Sequence, residues 1–80
     1  MKQYEEIKKI ALANGWEEDG NNRYCVEDWI LNQCFIISLD LMHFITITES
    51  EENAREIGTL GEVKTLLKVF GKQKNYKKQD

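Results

Sequence analysis

Apolar residues recur along this chain with two different periods. From residue 2 to 14, Tyr4, Ile7, Ile10 and Ala11 fall at three- and four-residue steps, with Glu5, Glu6, Lys8 and Lys9 between them. That spacing predicts an amphipathic helix. Gly15 follows, a residue able to take the left-handed conformation that ends a helix, and Trp16 is placed to fold back on the last turn as in a Schellman cap. A turn-forming run, Asp19-Gly20-Asn21-Asn22, comes next, and residues 17–19 supply a short irregular edge strand before it.

From Arg23 to Thr48 the pattern changes to a dense run of β-branched and aromatic residues. Residues 24–31, 34–39 and 42–48 are each long enough for a strand, and Asn32-Gln33 and Asp40-Leu41 lie where two-residue hairpin connections belong. A three-stranded antiparallel meander is the simplest arrangement. Phe35, Ile37 and Leu39 form the face expected under the helices, joined by Ile45 and Ile47 if the hairpin register allows it. The opposite face then carries Cys34, Ile36, Met42 and Phe44, diluted by Ser38, Thr46 and Thr48.

Ser50 caps a predicted helical turn over residues 51–57, broken by Gly58. Thr59 and Glu62 have the spacing of a capping box. Leu60, Val63, Leu66, Leu67 and Phe70 continue as an apolar stripe that Gly71 closes, which predicts the final helix. Residues 72–80 hold Lys72, Lys74, Lys77 and Lys78, one aspartate and Tyr76 without periodicity, and read as a basic flexible tail. The expected fold class is α+β: a three-stranded antiparallel sheet flanked by an N-terminal and a C-terminal helix, in one domain spanning residues 1–71.

Eighty residues allow one thin core between a sheet and its helices. A hydrophobic content of 41% is enough to order it. Cys25 and Cys34 sit within apolar stretches, too sparse for a secreted disulfide framework, which points to a reducing, cytoplasmic setting. The charged N-terminus lacks the apolar block of a signal peptide. No apolar run approaches the roughly 20 residues of a membrane helix.

Catalytic chemistry finds little support. His43, Ser38 and Asp40 contain the residue types of a triad, yet no glycine-containing elbow surrounds Ser38 to expose a nucleophile. Cys25, Cys34 and His43 lack the paired spacing of a zinc site. Gly58 and Gly61 open the last helix without the lysine of a P-loop, and glutamates precede them. The sequence therefore reads as non-enzymatic, with no cofactor and no metal.

Binding surfaces remain. The net charge is −3, but residues 23–71 carry eight acidic against four basic side chains, whereas the tail carries four lysines against one aspartate. Acid concentrates at Glu49, Glu51, Glu52 and Glu56, a surface suited to a basic, nucleic-acid-binding protein partner. Ile36, Met42 and Phe44, with Trp29 and Tyr24 as further candidates, would anchor such a contact or a homodimer through the free sheet face. The helix, three strands, helix order resembles the double-stranded RNA-binding domain, a family that holds phosphates with lysines at the start of its last helix; here that stretch is Thr59-Leu60-Gly61-Glu62. Lys72, Lys74, Lys77 and Lys78 in the tail give the alternative, a nucleic-acid-binding module of salt-sensitive affinity. In size, charge and element order the chain also resembles the small inhibitors that phages and mobile elements encode against host nucleic-acid machinery, including anti-CRISPR proteins. That resemblance rests on no motif and implies no residue role; it implies an acidic protein that blocks a host defence protein.

Overall fold

The computed structural model describes residues 2–71, in the order α1 (Lys2–Ala13), β1 (Glu17–Glu18), β2 (Arg23–Asp28), β3 (Gln33–Ser38), β4 (His43–Ile47), β5 (Glu52–Glu56) and α2 (Leu60–Val69). The five strands pair in chain order, each antiparallel to the next, as one meander. The α+β class is as the periodicity implies; the sheet has five strands, not three, so the order departs from that of the double-stranded RNA-binding domain. The expected short strand before the first turn is present as β1, and the predicted helical turn over residues 51–57 is instead β5.

Local sequence does not favour β5. Ala54 and Ile57 alone among residues 51–57 are apolar, at helical spacing, and every residue of the strand is exposed. Pairing supplies the reason. The β5 backbone pairs residue for residue with the edge of β4, a tight turn is closed by Thr48 and Glu51, and the Ile57 amide donates to the Met42 carbonyl at 2.8 Å. Burial of the Ile57 side chain then holds the end of the strand, overriding the local preference.

α1 ends as its sequence predicts. The Trp16 amide donates to the Ala11 carbonyl at 2.9 Å and the Gly15 amide to Leu12 at 3.2 Å. With Gly15 at φ 88°, these bonds make a Schellman motif. The cap also has a tertiary role. Trp16 is buried, and its indole Nε1 donates to the Leu67 carbonyl at 2.8 Å, tying the end of α1 to α2. At the start of α2 the Thr59 hydroxyl accepts from the Glu62 amide at 3.1 Å, while the Glu62 carboxylate accepts from the Gly58 amide at 3.1 Å. That second bond lies one residue earlier than a standard capping box requires. Past the end of α2, Gly71 lies so near the Asn14 backbone that an added Cβ would sit 2.7 Å from the Asn14 carbonyl oxygen. Any other residue there would push the two helix ends apart.

Both helices cover one face of the sheet. Ile7 and Ala11 of α1 and Val63, Leu66 and Leu67 of α2 form a single buried cluster with Tyr24, Val26, Phe35, Ile37, Leu39 and Phe44. Phe35, Phe44 and Phe70 meet within it, with ring centroids separated by 4.6 Å, 5.3 Å and 5.8 Å. Such offset and tilted ring pairs add to the stabilisation from burial. The hairpin register decides which β4 residues join. Ile37 stands opposite Phe44 and Phe35 opposite Thr46, so Phe44 enters the core and Ile45 and Ile47 turn to the other face.

The connections are longer than expected, but the 39–42 loop extends the expected Asp40-Leu41 connection by one residue on each side and so leaves the pairing of Ile37 with Phe44 as a two-residue connection would give it. Residues 29–32 and 39–42 form four-residue loops, each ending on a residue in the left-handed region, Asn32 at φ 57° and Met42 at φ 51°. Asp28 and Ser38 shape the two loops from matching positions. The Asp28 carboxylate accepts from the Ile30 and Leu31 amides, and the Ser38 hydroxyl accepts from the Leu41 amide. Met42 is therefore a loop residue packed against the core edge, not part of a strand.

A candidate protein-binding site at one end of the sheet

β2 and β4 run in the same direction, so their C-terminal ends emerge together. The 29–32 loop after β2 and the 48–51 turn after β4 consequently share one end of the sheet. The two carry complementary chemistry. Trp29, Ile30 and Leu31 are 70%, 71% and 58% exposed, three consecutive large apolar side chains displayed to solvent. The turn after β4 displays Glu49 and Glu51, with Glu52 beginning β5 beside them, all exposed.

Between the loops runs a groove of about 400 Å³. Glu27, Trp29 and Glu49 stand on its walls, and Cys34 and Ile47 provide apolar lining from the sheet face opposite the helices. Asp28 also lines it and is only 2% exposed. Its Oδ1 accepts from the Ile30 amide at 3.0 Å and the Leu31 amide at 3.1 Å, whereas Oδ2 is buried and receives no hydrogen bond. A buried oxygen without a donor costs roughly 1–3 kcal/mol; Asp28 falls on the same face of β2 as Tyr24 and Val26, opposite to Glu27.

The free sheet face continues from the groove. Cys25, Ile36, Ile45 and Ala54 form one cross-strand row, Glu27, Cys34, Ile47 and Glu52 the row nearer the groove, and Arg23, Ser38, His43 and Glu56 the row at the far end. Ile36 and Ile45 are buried although they lie outside the helix-covered cluster. Burial raises the Cys25 thiol above its ordinary pKa, and the carboxylates of Asp19, Glu17 and Glu27 add to the effect; burial raises Cys34 likewise, with Glu27 and Asp19 beside it. Both thiols thus stay protonated near neutrality and are poor nucleophiles.

The expected binding residues separate. Glu49, Glu51 and Glu52 gather at the groove end, but Glu56 closes the opposite end of β5. At strand spacing, Glu56 stands about 13 Å from Glu52. Ile36 lies on the sheet face opposite the helices but is buried there. Phe44 does not: it pairs with Ile37 and so faces the helices, where it is buried. Met42 lies in the 39–42 loop at the other end of the sheet, half-buried. Lys72, Lys74, Lys77 and Lys78 fall outside the described residues.

Ile30, Leu31, Glu27 and Asp28 belong to this site and are not among the residues that composition and charge single out. A signal is nevertheless present. Residues 29–31 are apolar without alternation, which does not suit a strand with one solvated face, and Asp28 and Asn32 are residue types that open and close such a loop. Of the triad residue types, Ser38 and His43 stand opposite each other across β3 and β4. Ser38 is engaged in its loop, and the Asp40 carboxylate accepts from the Asn22 side chain at 3.2 Å. Among the described residues, no group of three or more His, Cys, Asp or Glu is placed to hold a metal ion, and no helix is long and apolar enough to cross a membrane. Compared with family models, curated proteins and solved structures, the chain matches none.

Proposed function

We propose that this protein is a non-enzymatic binding module whose target is a basic protein, contacted through the sheet end that carries the 29–32 loop and the 48–51 turn. One observation carries the reading: an exposed tryptophan with two exposed aliphatic neighbours stands next to three exposed glutamates. Aromatic anchors ringed by charge are where binding energy concentrates in protein interfaces, and the glutamates accelerate and orient encounter with a positive surface. In its most specific form the reading is that of a phage-type inhibitor acting in the cytoplasm. The acidic end would occupy a groove that otherwise holds nucleic acid on a host defence protein, and thereby exclude the nucleic acid.

The experiment is capture of partners from a host lysate on tagged protein, with and without nuclease, in parallel with Trp29→Ala and with Glu51→Lys/Glu52→Lys. A basic protein that survives nuclease, is lost with both variants and is displaced by nucleic acid supports the reading. Recovery of nucleic acid alone, lost on nuclease treatment or at moderate salt, overturns it.

A further inference from the structure

We propose that the outer edge of β5 takes up an extended basic segment of the partner protein as a sixth strand of the sheet. The inference rests on the protein-binding reading and names how that partner is held.

The edge is open in its backbone. The Ile57 amide bonds to the Met42 carbonyl at 2.8 Å and the Thr48 amide to the Glu51 carbonyl at 2.9 Å. Between those two pairs, alternate positions carry the inter-strand bonds, so Asn53 and Arg55 are bonded to β4 while Glu52, Ala54 and Glu56 turn their amides and carbonyls outward. The Arg55 guanidinium takes the Glu56 carbonyl at 3.3 Å. Among the described residues nothing bonds to the outward groups of Glu52 and Ala54, so the edge is open at the end where β5 leaves the 48–51 turn. Native sheets close such edges with proline, a bulge or a very short strand. β5 has none of these: it pairs through five regular positions, and the chain contains no proline. At the opposite edge β1 is only two residues long, Glu18 alone turns outward, and Lys8 holds its carboxylate at 3.2 Å.

The side chains along this edge select the occupant. An added strand lays alternate side chains beside Glu52, Ala54 and Glu56, on the sheet face opposite the helices. Opposite charges at such cross-strand positions attract and like charges repel. The two glutamates therefore favour a lysine or arginine on each side of a residue that meets Ala54, whose single methyl group leaves room for a larger partner. Arg55, the cation of the strand, lies on the helix side and pairs with Glu62 at 3.0 Å, so it does not oppose a basic segment. A nucleic acid has no peptide backbone to continue the ladder, and its phosphates would meet glutamates. A second copy is disfavoured too, since β5 fully overlapped antiparallel with itself sets Glu52 against Glu56 twice.

The test is titration of nitrogen-labelled full-length protein with a capped Lys-Thr-Val-Thr-Lys peptide, read by amide shifts and hydrogen exchange. Two further copies are N-methylated on one or the other alternate set of amides, so each keeps the charge and loses pairing along one side. The parent peptide is expected to shift residues 51–56 and to slow exchange at the Glu52 and Ala54 amides about tenfold when present at about ten times its Kd, because exchange proceeds from the free edge. The copy whose blocked amides face β5 should not bind, and the other should bind as the parent does. Glu52→Gln/Glu56→Gln should weaken binding about tenfold. Ala54→Pro removes an outward amide and no bond to β4, so its amide spectrum should report an intact fold while binding is lost. Equal binding of both methylated copies means charge alone and overturns the proposal, as do shifts that leave β5 unmoved. Protection of Glu52 and Ala54 without peptide that rises with protein concentration would place a second copy on the edge, and protection lost on deleting residues 72–80 would place the chain's own basic segment there; either overturns it. If partner capture survives Ala54→Pro but not Trp29→Ala, the protein-binding reading stands and strand addition falls; if capture survives both, both fall.

Discussion

The 29–32 and 39–42 loops are built alike and used differently. Each spans four residues between antiparallel strands, and each is shaped by the side chain just before it, Asp28 or Ser38. Each closes on a left-handed residue, Asn32 or Met42. The 39–42 loop is woven into the molecule. Leu39 is 1% exposed, its amide donates to the Asn22 carbonyl at 2.9 Å, its own carbonyl accepts from the Tyr4 hydroxyl, and the Met42 carbonyl receives the Ile57 amide. At 29–32 the Ile30 and Leu31 amides bond back to Asp28, and three large apolar side chains face solvent. One backbone solution thus serves two ends: where a loop's side chains meet the core it fastens the sheet, and where they do not it displays them to solvent.

Substitution breaks that contrast most strongly in the buried loop. Leu39→Ala should cost about 2–5 kcal/mol in denaturant unfolding, because it removes a fully packed core side chain. Trp29→Ala in the exposed loop should alter stability by no more than about 0.5 kcal/mol while partner capture collapses. A large stability loss in the second variant would mean that the loop is structural and the binding site lies elsewhere.

The shaping side chains give a smaller effect. Asp28→Ala leaves two loop amides without their acceptor and should cost about 1–3 kcal/mol, partly offset by removal of the unsatisfied Oδ2. Ser38→Ala loses one long hydrogen bond, of 3.4 Å. Its cost in the same unfolding measurement should be about 0.5–1.5 kcal/mol. The closing residues come next. Asn32→Ala should cost about 1 kcal/mol, the penalty for placing a residue with no local hydrogen bond to give in the left-handed region.

Acid weakens a part of the molecule away from both loops. The Gly58 amide, followed by the Arg55 guanidinium, holds the Glu62 carboxyl below its ordinary pKa in the folded protein. Its contribution is therefore complete above the unfolded value and fades as pH falls through the folded one. Glu62→Gln should flatten the acid limb of the stability profile, and an unchanged limb would assign acid sensitivity to other carboxylates. Cys25 and Cys34 should alkylate more slowly in native buffer than in urea at the same pH, since burial raises both thiols.

Much of the fold is local and so legible. Gly15-Trp16 ends α1 and Thr59 starts α2 through hydrogen bonds among residues close in the chain. The acidic cluster is visible as composition, and its gathering at Glu49, Glu51 and Glu52 needs only a turn. Hairpin register is different. It is set by pairing across strands: Ile37 stands opposite Phe44, so Phe44 faces inward and Ile45 outward, the reverse of the expected faces.

Period and near neighbours along the chain suffice for the two helices, their caps and the existence of a central antiparallel sheet. Three features exist only in the folded molecule. β5 is a strand because β4 offers its edge and Ile57 a buried seat, although its own residues read as a helical turn. Phe44 is core because it stands opposite Ile37 across the β3–β4 pair, on the face the helices cover. The groove forms because the shared direction of β2 and β4 brings Trp29 and Glu49, twenty positions apart, to one end of the sheet. Each turns on contacts between distant residues, whose free energy no local pattern encodes.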